Sequence, residues 1–292
     1  MKRMFFCAVL AAVPSLASAS DMLVSSQWLK GHLNDPKLVL FHVGTKAEFD
    51  KEHISGAQLV SPADLAIPRS EGALILQLLP TQALREKLES LGVSDDSRVV
   101  VYFGVDWVSP ATRVYFSLDA AGLGDRTSIL DGGMPSWKAA GGAVTDAVKP
   151  PVTGRLTVKG KPDLVLGLDD LRAALAAKTV DVIDARDPQF FDGASPGSMP
   201  RAGHIPGSRN IPFATLAESD LTMKSEAQIA DIFKAAGVTT GDTVVSYCHI
   251  GQQATMVYFA ARRLGFNAKV YDGSWDEWSR KPELPIETTP IK

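Results

Sequence analysis

The segment "VVSYCHIGQQATMVYFAARRLG" spans residues 244 to 265 and combines three local patterns. A short β-branched run ends at Cys248, a loop with Gly251 and two glutamines follows, and a helix-like stretch then runs to Gly265. A buried strand, a tight loop and a helix form the repeating unit of a parallel α/β sheet. The segment therefore predicts that Cys248 lies at the carboxyl end of a strand, where ligand crevices form in such sheets.

The same motifs occur twice, in the same order. "VVVYF" (99–103) matches "VVSYC" (244–248), and "ATRVYF" (111–116) matches "ATMVYF" (254–259). The other matched pairs are "LVLFHVGTKAEFD" (38–50) with "VDVIDARDPQFFD" (180–192), "EHISGA" (52–57) with "GHIPGS" (203–208), and "LDGGMPSW" (130–137) with "YDGSWDEW" (271–278). The matched positions lie about 141 to 151 residues apart, which is too far for a solenoid repeat and indicates a duplicated domain.

Each half alternates strand and helix patterns. The second half predicts strands at 180–185, 242–247 and 267–272, and helices at 224–237 and 253–265. The first half predicts helices at 83–92 and 111–122, and strands at 97–104 and 126–132. This alternation predicts the α/β class, with two tandem domains that each contain a mostly parallel sheet flanked by helices.

A leader sequence precedes the two domains. Lys2 and Arg3 precede a short apolar run, and Ala17-Ser18-Ala19 has the pattern of a cleavage site. Residues 1–19 are therefore predicted to be a signal peptide and the mature chain periplasmic; an uncleaved N-terminal anchor is the alternative. The predicted bounds are 20–145 for the N-terminal domain, 146–162 for a linker rich in Pro, Gly and Lys, and 163–292 for the C-terminal domain.

Cysteine and charge content narrow the function classes. Cys7 lies within the leader, so Cys248 is the only cysteine of the mature chain and has no internal disulfide partner. Removing Lys2 and Arg3 changes 30 basic residues against 33 acidic to 28 against 33, a net charge of −5. This balance argues against nucleic acid and anionic membranes as partners. No other stretch approaches the roughly 18 apolar residues of a membrane span.

The loop after Cys248 is suited to a sulfur anion. The first N–H groups of a helix have no internal partner and carry positive partial charge. Loop amides can also surround one point as an anion-binding nest, and Gly251 allows the tight curl that this requires. We therefore expect Cys248 to have a lowered pKa and to act as a thiolate nucleophile. A small buried and inert cysteine is the alternative.

The motifs "VIDARDPQFFDG", "RAGHIPGSRNIPF", "VVSYCHIGQQAT" and "VYDGSWDEW", in this order, resemble the tandem-domain rhodaneses, the thiosulfate and 3-mercaptopyruvate sulfurtransferases. The resemblance covers nearly the whole mature chain and implies two rhodanese-fold domains, with catalysis in the C-terminal one. It implies that Cys248 takes the outer sulfur of a donor as a persulfide and passes it to cyanide or a thiol. No metal and no organic cofactor is implied, and we expect a monomer.

The resemblance also implies the other site residues. Arg186 matches the family's substrate-binding arginine, whose guanidinium suits a sulfonate-like or carboxylate group; a surface salt bridge is the alternative. Asp184 is expected to support it by orienting Arg186 or the loop, or to stabilise the fold. The remaining substrate-binding residues are those of the loop: His249, Ile250, Gly251, Gln252 and Gln253.

The N-terminal copy lacks the matching groups. The position of Cys248 falls between Phe103 and Val105, where no thiol occurs. The matches predicted for Arg186 and Asp184 are Thr45 and Val43. The first domain is therefore expected to be catalytically silent and to cover one side of the active cleft. His204 of "GHIPG" keeps a counterpart, His53, in this silent copy, and both are therefore interpreted as structural.

The loop sequence leaves the donor open. Its residues Cys-His-Ile-Gly-Gln-Gln match neither the small loop typical of mercaptopyruvate-type enzymes nor the basic loop of vertebrate thiosulfate-type enzymes. Protonated His249 would help to hold thiosulfate, whereas neutral His249 would point to solvent. We expect thiosulfate, because mercaptopyruvate is a cytosolic metabolite. A 3-mercaptopyruvate sulfurtransferase and a non-catalytic sulfur-binding or interaction module remain the alternatives.

Two other cysteine chemistries fit the sequence poorly. A phosphatase of the related cysteine-loop type needs an arginine six positions after the cysteine, where this chain has Ala254. A thiol–disulfide oxidoreductase usually needs a second, resolving cysteine, and the mature chain has none. Sulfur transfer through Cys248 is therefore the function that the sequence favours.

Overall fold

The computed structural model describes residues 22–104, 108–238 and 242–289. The predicted signal peptide and Val105 lie outside these described residues. Within them, no helix has the length and apolar character needed to cross a membrane.

The described residues form two five-stranded parallel sheets with the same strand order. The strands are β1 (Leu23–Val24), β2 (Leu38–Val43), β3 (Gln58–Leu59), β4 (Arg98–Phe103), β5 (Thr127–Leu130), β6 (Val165–Leu166), β7 (Asp181–Asp184), β8 (Arg209–Asn210), β9 (Thr243–Tyr247) and β10 (Asn267–Tyr271). The first sheet has the order β1-β5-β4-β2-β3 and the second β6-β10-β9-β7-β8. The predicted α/β class and the duplication are confirmed.

Helices connect the strands. They are α1 (Ser26–His32), α2 (Lys46–Lys51), α3 (Thr81–Ser90), α4 (Val108–Ala120), α5 (Gly133–Ala139), α6 (Leu168–Ala177), α7 (Pro188–Phe191), α8 (Glu226–Ala235), α9 (Ala254–Arg263) and α10 (Ser274–Ser279). Short 3₁₀ turns occupy Pro62–Leu65, Gly124–Arg126, Pro162–Leu164 and Phe213–Leu216. The four two-residue strands were not predicted, because two residues carry no hydrophobic period.

Local sequence explains where the key elements begin and end. The central strand β4 is buried along nearly its whole length, as expected for a parallel strand covered on both faces. Helix α2 begins with a capping box, in which Thr45 Oγ1 accepts from the Glu48 amide and Glu48 Oε2 accepts from the Thr45 amide. This box fixes the Glu48 carboxylate at the carboxyl edge of the first sheet.

The two domains pack through equivalent helices, α4 and α9. Thr112 Oγ1 lies 2.9 Å from Thr255 Oγ1, and these two residues are matched positions of the repeat. Tyr115 packs edge-on against Phe259, at 4.8 Å between ring centroids. The reciprocal pair, Phe116 with Tyr258, has the same edge-on geometry at 5.0 Å. The contact therefore has the isologous character of a symmetric dimer, and one apolar cluster is continuous across it.

Two tyrosines fix the register between the copies. The Ile54 amide donates to Tyr102 Oη at 3.0 Å, and the matched Ile205 amide donates to Tyr247 Oη at 3.1 Å. Tyr102 and Tyr247 are therefore equivalent, and the next residue in each copy is Phe103 and Cys248 respectively. Phenylalanine thus occupies the cysteine position of the N-terminal domain.

The predicted matches for Asp184 and Arg186 are wrong by one position. Asp184 pairs with Tyr247 in the second sheet, and His42 pairs with Tyr102 in the first. His42 therefore matches Asp184, and Gly44 matches Arg186, in place of Val43 and Thr45. Strands buried on both faces have no alternating pattern, so their apolar runs can be aligned equally well one residue apart. The N-terminal site still carries neither a thiol nor an arginine at these positions.

The connection between the domains has no helix or strand from residue 146 to residue 161. It lies along the N-terminal domain: Leu156 is buried, and its amide donates to Glu89 Oε1 at 2.7 Å. The Thr157 amide donates to Asp95 Oδ1 at 2.8 Å. These contacts tie the connecting segment to the first domain.

Candidate active site

Cys248 lies directly after β9 and faces a cavity of about 560 Å³ between the two domains. It is almost completely buried, with 1% of its surface exposed. The cavity is lined by Val43, Gly44, Thr45, Glu48, Pro62, Phe103, Gly104, Pro110, Cys248, His249, Ile250, Gln252 and Gln253. Both domains therefore contribute to the space in front of the thiol.

Backbone amides surround the sulfur. The N–H groups of Ile250, Gly251, Gln253 and Ala254 are directed at the Cys248 thiol and stabilise its charged form. Gly251 has a φ of +79°, which closes the loop around the sulfur and favours glycine. Burial outweighs the four amides and raises the pKa of Cys248, so the expected lowered pKa is wrong for the resting protein.

Helix α10 holds the other side of the loop. The Trp275 amide donates to the Cys248 carbonyl at 2.9 Å, and the Asp276 amide donates to the His249 carbonyl at 2.8 Å. The Cys248 amide donates to Ser274 Oγ at 3.4 Å. The start of α10 thus binds the backbone at the thiol, which explains why the "DGSWDEW" motif accompanies the cysteine loop.

Arg186 is buried behind the loop, with 1% of its surface exposed, so a surface salt bridge is excluded. Its Nε and Nη2 donate to Asp184 Oδ1 at 2.9 Å and Oδ2 at 2.5 Å, and Nη2 also donates to the Gly203 carbonyl at 2.7 Å. The guanidinium carbon lies 4.7 Å from the ring centroid of Trp275. Asp184 thus orients Arg186, which is not among the residues that line the cavity.

Arg186 remains protonated in this position. Burial lowers the pKa of Arg186, but the hydrogen bonds and the negative charge of Asp184 outweigh burial, so the net shift is upward. His249 lines the cavity, and its ring packs edge-on against Phe190 at 4.6 Å. Burial, and then the charge of Arg186, lower the pKa of His249. The neutral form of His249 is therefore favoured at neutral pH.

The two "GHIPG"-type histidines have the same contacts in both domains. His204 Nδ1 donates to the Phe191 carbonyl at 2.7 Å, and its ring stacks on Phe191 at 3.7 Å. His53 Nδ1 donates to the Phe49 carbonyl at 2.7 Å, and its ring stacks on Phe49 at 3.9 Å. These matched contacts support the structural interpretation of both residues.

Arg113 is a site residue that the sequence reasoning missed. It lies on α4 of the N-terminal domain and is 1% exposed. Its Nη1 donates to the Gly251 carbonyl at 3.0 Å, and its Nη2 donates to the Leu76 carbonyl at 2.6 Å and lies 2.8 Å from Asp272 Oδ1. The matched segments "ATRVYF" and "ATMVYF" differ only at this residue and Met256. That single difference within an otherwise identical motif could have indicated a special role for Arg113.

Residues 72–78 of the N-terminal domain form hydrogen bonds with residues of the C-terminal domain next to the cysteine loop. The Ile75 amide donates to Asp276 Oδ2 at 3.0 Å, and the Leu78 amide donates to Asp272 Oδ2 at 2.8 Å. Arg280 Nη1 donates back to the Gly72 carbonyl at 2.8 Å. Together with Arg113, this segment connects the N-terminal domain to the elements that hold the cysteine loop.

Comparison with known proteins supports a single family. The model of the rhodanese-like domain matches residues 25–140 and 167–281. A protein of Mycobacterium leprae that is provisionally named a thiosulfate sulfurtransferase is 32% identical over 281 residues, which cover 92% of this chain and 98% of that protein. Thiosulfate/3-mercaptopyruvate sulfurtransferase 2 of Arabidopsis thaliana is 29% identical over 92% of this chain and 87% of its own length.

Solved structures show the same fold at lower identity. The wild-type structure of EanB matches with a TM-score of 0.83 and 22% identity, covering 94% of this chain and 71% of that chain. The anaerobic ergothioneine biosynthesis enzyme of Chlorobium limicola in complex with trimethyl histidine also has a TM-score of 0.83 at 22% identity. It covers 94% of this chain and 72% of its own. At this identity the likeness shows the fold alone.

Proposed function

The chain belongs to the rhodanese-like family, and on that premise we propose that it is a sulfurtransferase that uses a Cys248 persulfide. The donor is thiosulfate, and the acceptor is cyanide or a thiol. The observation that carries this proposal is the nest of four amides around the Cys248 thiol at the end of a strand, facing a cavity. A buried, inert cysteine would need neither the amides nor the cavity.

The amide nest suits both halves of the reaction. In the first half, the Cys248 thiolate attacks the outer sulfur of thiosulfate, the S–S bond of the donor breaks, and sulfite leaves. In the second half, the acceptor attacks the outer sulfur of the persulfide, and Cys248 leaves as a thiolate. The amides of Ile250, Gly251, Gln253 and Ala254 favour the anionic sulfur in each state. No metal or organic cofactor takes part in these steps.

Arg186 acts in this proposal through its charge. It is close enough to His249 to lower the pKa of that ring, so its positive charge reaches the cysteine loop. An anionic donor at Cys248 gains from that charge even while the guanidinium remains bonded to Asp184 and Gly203. The loop residues Ile250, Gln252 and Gln253 line the cavity in front of the thiol, where a bound donor would contact them.

The decisive experiment is an intact-mass measurement of the purified protein before and after mixing with thiosulfate and, separately, with 3-mercaptopyruvate. We expect a gain of one sulfur atom that cyanide removes, with thiosulfate as the more efficient donor. A preference for 3-mercaptopyruvate would select the alternative that the names of the plant relatives include. Cys248→Ser should show no gain and an unchanged circular dichroism spectrum. Sulfur gained by this variant would refute the mechanism.

We also propose that the protein works in the periplasm after removal of residues 1–19. The support is the basic, apolar and small-residue pattern at the N-terminus. Osmotic-shock fractions should contain a form whose N-terminal residue lies at or near Ser20. A full-length form confined to spheroplasts would overturn this placement.

A further inference from the structure

The silent domain supplies most of the residues that line the cavity of Cys248. Within the described part of the chain, Glu48 provides the only carboxylate of this lining, and no lysine or arginine lines it. The amide nest and the Glu48 carboxylate thus border the same space. The cavity therefore combines a sulfur-binding end with one formal negative charge from the other domain.

The fold holds the Glu48 carboxylate in place. Its Oε2 accepts from the Thr45 amide at 2.7 Å, as part of the capping box of α2. Gly44 follows β2 and Gly104 follows β4, and both lie beside this oxygen. A Cβ at Gly44 would lie 2.7 Å from Oε2, and a Cβ at Gly104 would lie 3.2 Å from it. The two glycines therefore leave room for the carboxylate that a larger residue would displace.

No nearby histidine neutralises this charge. The ring nitrogens of His42 have no hydrogen-bond partner among the described residues, and burial lowers the pKa of His42 to about 4. Burial also lowers the pKa of His249. Both rings are therefore neutral at neutral pH, and neither supplies a positive charge beside Glu48.

The other cations near the site do not line the described part of the Cys248 cavity. Arg186 is paired with Asp184 behind the loop. Lys51 and Lys138 line a neighbouring cavity of about 420 Å³ that Glu48 also borders, and Lys138 pairs with Glu52 at 2.6 Å. An incoming molecule therefore meets Glu48 as the one charged side chain on the described lining of the Cys248 cavity.

We propose that the sulfur acceptor is a small aminothiol, whose ammonium group is held by Glu48 while its sulfur reaches the Cys248 persulfide. This inference rests on the proposed sulfurtransferase function and specifies its second half-reaction. The acceptor sulfur attacks the outer sulfur of the persulfide, the bond from that sulfur to Cys248 Sγ breaks, and the acceptor leaves as a persulfide. The acceptor's thiol proton balances the proton regained by Cys248, so no oxidant or reductant is consumed.

The same charge has opposite effects on the two half-reactions. It attracts an ammonium group, and it opposes the approach of dianionic thiosulfate. Two unit charges separated by the width of such a cavity interact strongly enough to change a rate constant by about tenfold. Removing the charge should therefore slow discharge by an aminothiol and accelerate loading from thiosulfate. A loss of folding or of general activity would change both rates in the same direction.

Glu48→Gln is a suitable variant, because glutamine at this position retains the capping box with Thr45. Glu86→Gln, on the exposed surface of α3, removes the same charge away from the cavity and serves as the matched control. Persulfide-loaded protein is discharged separately by cysteamine, 2-mercaptoethanol and 3-mercaptopropionate. We expect Glu48→Gln to slow the discharge by cysteamine about tenfold and to leave the discharge by 2-mercaptoethanol unchanged. Loading of sulfur from thiosulfate should become faster. Unchanged relative rates for the three thiols would overturn the inference.

A second measurement does not depend on sulfur transfer. Methanethiosulfonate reagents modify the Cys248 thiol directly, and they exist with a trimethylammonium or a sulfonate group. The wild-type protein and Glu86→Gln should favour the cationic reagent, and Glu48→Gln should lose about tenfold of that preference. If charge selectivity is present but no donor forms a persulfide, the proposed function fails. If the persulfide forms but neither the reagents nor the thiols are distinguished by charge, only the aminothiol inference fails.

Discussion

Replacing Arg113 should loosen the cysteine loop from the opposite domain. Methionine is the appropriate substitution, because the matched position of the other repeat is Met256. Arg113→Met removes the donors to the carbonyls of Gly251 and Leu76 and the cation beside Asp272. The Asp272 side chain is only 8% exposed, so its carboxylate stays buried with less compensation.

The size of the effect follows from this burial. Removing one partner of a buried ion pair costs about 3–5 kcal/mol, because the other charge is left uncompensated. That is a large part of the about 5–15 kcal/mol that stabilises a typical domain. Arg172 pairs with Asp169 on the surface, at 55% and 95% side-chain exposure, so Arg172→Met should cost less than about 1 kcal/mol. The two arginine variants thus separate a buried cation from an exposed one.

Two measurements test this prediction. Urea denaturation followed by tryptophan fluorescence gives the free energy of unfolding, and Asp272→Asn in the Arg113→Met background should recover part of the loss. The rate of Cys248 alkylation in the folded protein reports on the loop itself. We expect this rate to change in Arg113→Met at urea concentrations where the protein remains folded. A cost no larger than that of Arg172→Met, or a stability loss with unchanged alkylation, would refute a positioning role.

Three further predictions concern other residues of the two sites. Arg186→Ala should raise the donor concentration required by tenfold or more and lower the free energy of unfolding by about 3–5 kcal/mol, because Asp184 is left buried without its cation; Arg186→Lys should restore part of the donor affinity in steady-state kinetics. The pKa of His42 is lowered from 6.5 to about 4, so the unfolded chain binds a proton that the folded chain does not as pH falls through this range. The free energy of unfolding should therefore fall by up to about 3 kcal/mol between pH 6.5 and pH 4 and stay level above pH 6.5 as far as this residue is concerned; an equal fall in His42→Asn would contradict this. Phe103→Cys should place a thiol at the matched position without creating a second persulfide, since Gly44 offers no cation there; sulfur found on that cysteine by peptide mass mapping would contradict this expectation.

The long elements were predictable because their patterns are strong. Helix α8 was predicted at 224–237 and occupies Glu226–Ala235, and β9 was predicted at 242–247 and occupies Thr243–Tyr247. Both carry the period or the β-branched run of their type. The position of Cys248 at the end of β9 followed from the same patterns. The residue-by-residue alignment of β2 in the first copy with β7 in the second was not predictable, because strands covered on both faces lack the alternation that would fix it.

The electrostatics of the thiol depend on burial, which sequence does not report. The amide nest was predicted from the loop and the helix start, and the structure shows four amides at Cys248. The sign of the pKa shift nevertheless differs, because burial of the Cys248 thiol disfavours its charged form by more than the four amides favour it. Arg186 was recognised from the motif, yet its burial and its bonds to Gly203 depend on contacts between distant segments. Burial and contacts of this kind exist only in the folded chain.

The duplication gives the N-terminal domain a contact with the Cys248 loop. In an isologous pair, a residue of the contact helix in one copy faces the loop of the other copy. Arg113 therefore serves the cysteine loop of the C-terminal domain, whereas the matched Met256 belongs to the apolar cluster that also contains Phe103. The carboxylate matched to Asp272, Asp131, is present in the N-terminal domain and accepts from the Met223 amide at 2.8 Å, so the two copies differ in the cation and not in the carboxylate. The two contact helices thus differ at the residue that faces the loop of the other copy, and substitution of Arg113 is expected to affect the Cys248 loop more than substitution of Met256 does.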